Sequence, residues 1–104
     1  MEVIINVDGQ TMRPRSVRKF VAGSKNFADF LFNLSDDWDG LTVFAQFRQD
    51  EQVFTEYLDS SDKVSLPYDL SDGDFTLALC GVGGSRIGVT HPLKLRLLEN
   101  KILI

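Results

Sequence analysis

Histidine, cysteine and tryptophan are nearly missing from this chain, which has one of each (His91, Cys80 and Trp38) in 104 residues. A single cysteine excludes an intrachain disulfide framework and gives no metal cluster, and it fits a protein that folds in a reducing cytoplasm. A single histidine leaves acid–base chemistry one candidate. His91 precedes Pro92, where the chain is biased to be extended. Nothing in the sequence brings it beside Cys80 or a serine as a nucleophile, base and orienting group require. Cys80 follows Leu79 in an apolar run and reads as a small buried or half-buried hydrophobe. The expectation is a protein that is not an enzyme, with no catalytic residue and no cofactor. Long apolar runs are also lacking, and none approaches the ~18 residues of a spanning helix. The start, MEVIINVDGQ, has neither basic head nor cleavage site, so no signal peptide and no membrane insertion are expected.

What is present is ordinary globular material. Hydrophobic residues make up 43% and charged residues 25%, so a disordered adaptor is excluded. Eight phenylalanines supply bulk for a core between two sheets. The length suits one domain, residues 1–104, with enough chain to bury a core without metal or disulfide.

The net charge of -4 is unevenly spread. Residues 1–25 carry Arg13, Arg15, Arg18, Lys19 and Lys25 against Glu2 and Asp8, while the remainder is strongly acidic. An acidic body argues against nucleic acid as a partner, because phosphate affinity rests on concentrated Lys and Arg. The basic run also lacks the interleaved aromatics on which single strands stack. Its charges and Pro14 suit a solvated edge strand that resists edge-to-edge pairing. The run RPRSVRK still leaves room for contact with phosphate, or with an acidic patch on a partner.

From Asn26 to Leu58 apolar and polar side chains alternate. Ala28, Phe30, Phe32 and Leu34 share one phase, with Asp29 and Asn33 opposite; Leu41, Val43, Ala45 and Phe47 oppose Thr42, Gln46 and Arg48. A period of two belongs to half-buried strands, whose successive side chains point to opposite faces. The segment reads as an antiparallel meander with an Asp50-Glu51 turn. Asp8-Gly9 marks a tight hairpin after an opening strand Val3–Val7, and the return strand should be disturbed at Pro14. A further pairing is expected over Lys19–Ala22, with a break at Gly23-Ser24. Asp59–Asp62 reads as a loop, Lys63–Leu66 as a strand and Pro67–Gly73 as an irregular connection. Strands follow at Phe75–Val82, Arg86–Thr90, Leu93–Leu97 and Lys101–Ile104. About nine short strands at this spacing make an all-β, antiparallel, jelly-roll-like β-sandwich. Its facing sides should hold Phe30, Phe32, Val43, Phe47, Leu77, Leu79, Leu93 and Leu95.

Two segments invite chemistry. Gly81–Gly88 is glycine-rich, but a phosphate loop needs a helix after it, and β-type residues follow instead, so the glycines serve a hairpin. The turn Ser35–Gly40 holds Asp36, Asp37 and Asp39, a weak calcium candidate because calcium prefers several oxygen ligands. The spacing does not match the twelve-residue calcium loop. A capped helical turn explains it more simply: Ser35 accepts a backbone amide, the acids favour the positive end, and Gly40 ends it. Trp38 then folds inward as a structural plug. Ser71–Asp74 repeats the same acidic ambiguity.

The order of these signals resembles a known family. It comprises the Asp8-Gly9-Gln10 turn, Gly23-Ser24-Lys25-Asn26-Phe27, Ser35–Leu41, Ala45-x-Phe47, Pro67-Tyr68-Asp69 and Gly81-Val82. The chain is similar over nearly its whole length to the N-terminal β-sandwich module of phage and prophage structural proteins of Gram-positive bacteria, of the baseplate-appendage or tail-fibre kind. The resemblance implies a non-enzymatic virion part that works by protein–protein contacts with other virion proteins or with itself. It would be made in the bacterial cytoplasm and end up in the virion. No Pro-rich linker, coiled coil or receptor-binding region follows, so anchoring, decoration or an accessory role is expected rather than host recognition. The interaction candidates are Arg13, Arg15, Arg18 and Lys19 on one edge and Phe44 and Phe54 on a face. The alternative is a carbohydrate-binding sandwich that stacks sugar rings on exposed aromatics such as Phe27, Phe44 and Phe54. A flat aromatic shelf beside carboxylates would favour the sugar, and an apolar patch would favour assembly.

Overall fold

The computed structural model describes residues 1–18, 28–98 and 101–103, with backbone only at 17, 18 and 101. The expected Lys19–Ala22 pairing, the Gly23-Ser24 break and Phe27 lie outside the described residues. Among the described residues ten strands form two sheets. They are β1 (Glu2–Asp8), β2 (Thr11–Arg18), β3 (Asp29–Leu34), β4 (Thr42–Gln49), β5 (Gln52–Tyr57), β6 (Lys63–Ser65), β7 (Gly73–Gly83), β8 (Arg86–Val89), β9 (Leu93–Leu98) and β10 (Lys101–Leu103). The first sheet runs β2-β1-β3-β6. The second runs β10-β9-β7-β4-β5, with β8 beside β7. The only helical element among the described residues is a 3-10 turn, Asp36–Trp38.

The architecture is the expected all-β sandwich, with one exception to antiparallel pairing among the described residues: β1 and β3 run parallel. The supposed meander is in fact split. β3 joins the first sheet, β4 and β5 the second, and the acidic turn carries the chain between them. A period of two fixes which face of a strand is buried, not which sheet the strand joins.

Turn chemistry sets the connections. Gly9 takes φ +58 in the first hairpin, where a non-glycine residue is disfavoured. The β1–β2 register shifts between Ile4 and Ile5, which pair with Ser16 and Pro14. This is the disturbance expected where a proline enters an edge strand. Between Asp59 and Lys63 the Asp59 carboxylate accepts the amides of Ser61 (2.8 Å) and Lys63 (3.0 Å). Just past β8 Thr90 still donates its amide to the Leu79 carbonyl at 2.9 Å, while its hydroxyl accepts the Leu79 amide at 2.9 Å. His91 then donates its amide to the Gln10 carbonyl at 2.8 Å, tying the sheets together.

The core lies between the sheets. Of the eight expected inward residues, seven are buried and Leu93, at the start of β9, is half-buried against the cluster. Phe47 touches Phe30 at 5.6 Å and Phe75 at 6.3 Å between ring centroids. Two of those rings come from opposite sheets, so the phenylalanines bridge the layers. Asp29, expected on the polar side of β3, is buried, with its carboxylate accepting the Ser65 hydroxyl at 2.8 Å.

Candidate functional site: the outer face of the larger sheet

The acidic turn is a brace. Trp38 is buried and its indole N–H donates to the Gly9 carbonyl at 3.0 Å. Ser35 does not cap the turn with its side chain. Its hydroxyl instead accepts the Gly9 amide at 3.1 Å and donates to Asp37 at 3.3 Å. That corrects the expected cap, because the stronger claim on Ser35 is the first hairpin packed beside it. From the other sheet, the Arg86 guanidinium donates to the carbonyls of Asp37 and Asp39 (3.1 Å to Asp39). Gly40 leaves the turn at φ +78.

The glycine-rich segment fits around this plug. A Cβ on Gly81 would lie 2.9 Å from Leu41 Cδ1 and 3.0 Å from Trp38 Cζ3, and one on Gly83 would meet the Gly40 carbonyl at 2.6 Å. Gly84, at φ +59, makes the hairpin turn itself. The glycines therefore serve two purposes, and only one of them was expected.

Asp36, Asp37 and Asp39 are exposed, and among the described residues no three His, Cys, Asp or Glu side chains gather as a metal would require. The Arg86 charge beside the Asp37 and Asp39 carbonyls further opposes a cation there. A shallow depression of 240 Å³ lies among Arg48, Asp50, Asp74 and Lys94, short of the roughly 300–1,000 Å³ of ligand pockets. Cys80 is half-buried, and that burial pushes its thiol up, partly offset by Arg48. A raised thiol is a poorer nucleophile near neutral pH. His91 is exposed. Among the described residues no helix is long and apolar enough to cross a membrane.

The feature that stands out is the solvent side of the second sheet. Strand register places Thr42, Phe44, Gln46 and Arg48 of β4 on that side. Their neighbours there include Tyr57 and Val53 of β5, Cys80 and Val82 of β7, and Ile87 and Val89 of β8. Eight large hydrophobic side chains are exposed among the described residues, and only Tyr68 is off this face; Leu98 and Leu103 complete the set. Ile87 is 78% exposed and Tyr57 66%. From Tyr57 through Phe44 and Cys80 to Val89 the apolar row crosses four adjacent strands, roughly 15 Å. Beyond it Arg48, Lys94 and Arg96 form a charged band. Asp74 lies 3.5 Å from Lys94 and 3.9 Å from Arg96.

The expected interaction residues are thus separated. Phe44 lies on this face, half-buried, its ring 5.5 Å from Tyr57 and tilted by 55°. Phe54 pairs with Phe47 on the opposite side of the sheet and packs on the core, so the two never share a surface. Arg13 and Arg15 are exposed on the edge strand β2. The side chain of Arg18 and the whole of Lys19 lie outside the described residues. Tyr57, Val82, Ile87 and Val89 were not anticipated, although β7 is apolar in both phases and so signals a strand with two greasy faces.

No protein-family model, curated protein or solved structure matches this chain.

Proposed function

We propose that this chain is a non-enzymatic structural module that works by docking another protein on the outer face of its larger sheet. The observation that carries the reading is the collection of exposed apolar side chains on that one face. Large contiguous apolar patches on a protein surface mark interaction sites. The composition suits a protein partner better than a sugar. Ile87, Val82 and Val89 are aliphatic, and the one aromatic pair is tilted, with Phe44 half-buried. A sugar ring stacks on a flat, exposed aromatic. The absence of an acid–base set in the sequence supports the non-enzymatic part.

The setting we infer is a phage or prophage particle, as a baseplate, tail or fibre attachment. It rests on the resemblance of the Ser35–Leu41 turn and the motifs around it. The docked surface then belongs to another virion component or to a further copy. Immobilised protein is exposed to a phage lysate and the captured proteins are identified by mass spectrometry, in parallel with the variant Ile87→Asp. The expected result is capture of a particle protein by the unmodified chain and its loss in the variant. A strict monomer that captures no particle protein and binds a defined glycan would instead establish the carbohydrate-binding alternative.

A further inference from the structure

The second sheet also has an open edge. Within the described residues β5 has β4 as its only neighbour. Leu58 donates its amide to the Val43 carbonyl at 3.1 Å, which sets the alternation along β5. Glu56, Phe54 and Gln52 turn their backbone groups toward β4, and Val53, Thr55 and Tyr57 turn theirs away. A row of outward amides and carbonyls on an edge is a template for another strand unless something blunts it. One of the usual devices is present, the charge of Glu56, which shares the core-facing phase of the strand with Phe54; the others are missing. Gln-Val-Phe-Thr-Glu-Tyr contains no Lys, Arg, Pro or Gly, and its register against β4 runs without a shift. The contrast is with β2, an edge carrying Arg13, Pro14, Arg15 and a register shift. The edge strands β6 and β10 have three residues each and β8 has four, too short for an extended pairing.

We infer that β5 pairs antiparallel with β5 of a second copy, about a two-fold axis at Thr55, making one sheet continuous through both molecules. The strand is complementary to itself in that register. Thr55 meets Thr55 of the second copy, and Val53 meets its Tyr57. Threonine pairs and β-branched–aromatic pairs are among the favoured cross-strand neighbours. The outward backbone groups of all three residues are those such a pairing hydrogen-bonds. A two-fold axis normal to the sheet leaves both outer faces on the same side, so the apolar rows of the two copies become one surface. The contact is small and opposed by charge. Glu51 of one copy faces Asp59 of the other, and each chain carries a net -4. The dimer is therefore weak and strengthens as salt screens that repulsion. The inference goes beyond the docking face, since it uses the edge of β5 rather than the side chains of β7 and β8.

Sedimentation velocity of the whole chain, over a concentration series reaching about 1 mM, tests it at low and high salt. The sedimentation coefficient should rise toward a dimer, more so at high salt. Thr55→Pro removes an amide that points away from β4, so its ladder to β4 stays intact, and this variant should remain monomeric. Ile87→Asp alters the face and not the edge, and should dimerise as the unmodified chain does. Amide hydrogen exchange of the unmodified chain needs no variant. Val53, Thr55 and Tyr57 should slow with concentration. A chain that stays monomeric throughout overturns the inference, as does a dimer in which those three amides exchange as in the monomer. A dimer that persists in Thr55→Pro and is lost in Ile87→Asp also overturns it, while leaving the docking face standing.

Discussion

Removing the contact between Trp38 and Gly81 one side at a time, then both together, probes the brace most sharply. Trp38→Ala deletes a buried indole and its bond to Gly9, which costs about 3–5 kcal/mol for an aromatic of this size. Gly81→Ala inserts a methyl 2.9 Å from Leu41 and 3.0–3.1 Å from Trp38. Overpacking of that kind costs about 1–3 kcal/mol, against about 0.5–1 kcal/mol recovered by removing glycine from a strand. The net single cost is about 0–2.5 kcal/mol. In the double variant the methyl enters the space the indole leaves, and only Leu41 still opposes it. The two changes should then couple by about 1–2 kcal/mol, the double variant being more stable than the sum of the two costs implies. Urea melts followed by far-UV circular dichroism measure all four proteins, since the only tryptophan is itself a variable. Energies that add within about 0.5 kcal/mol would refute the packing of Trp38 on Gly81.

Two further outcomes concern buried polar chemistry. Ser65→Ala strips the hydroxyl from the buried Asp29 carboxylate and should destabilise the fold by about 1–3 kcal/mol in urea. Burial holds the Cys80 proton more tightly in the folded chain than in the unfolded one, so stability should fall as pH rises from the ordinary thiol value through the raised one. Cys80→Ala should flatten that alkaline limb, measured as melting temperature against pH, and an unchanged limb would assign it elsewhere.

Much of the fold could be read directly from the chain because two-residue periodicity reports burial. Phe30, Phe32, Phe47, Leu77, Leu79 and Leu95 all point into the core. The turns at Gly9 and Asp50 follow from residues that tolerate positive φ. Sheet membership was not legible, because alternation is the same in either sheet, and the parallel β1–β3 pair depends on a long-range choice. Asp29 looked solvated because its partner, Ser65, lies 36 positions away. The site was legible only in part. Of the two expected aromatics, Phe44 lies on that face, whereas Phe54, an odd aromatic in a polar stretch, is half-buried and packs against the core from the other side of the sheet. The apolar second phase of β7, Ala78, Cys80 and Val82, signalled the face, yet in sequence it blended into the glycine-rich hairpin. Its extent emerges only when register sets Ile87 and Val89 beside it.

The central claim is that the outer face of the larger sheet is covered in the working state. Hydroxyl-radical footprinting of the chain, free and bound to the protein partner proposed above, measures this residue by residue. Tyr57, Val82, Ile87 and Val89 should be strongly labelled when free and protected when assembled, with Tyr68, which lies off the face, unchanged. Equal labelling of those four residues in both states, with protection confined to the β2 edge at Arg13 and Arg15, would contradict the account.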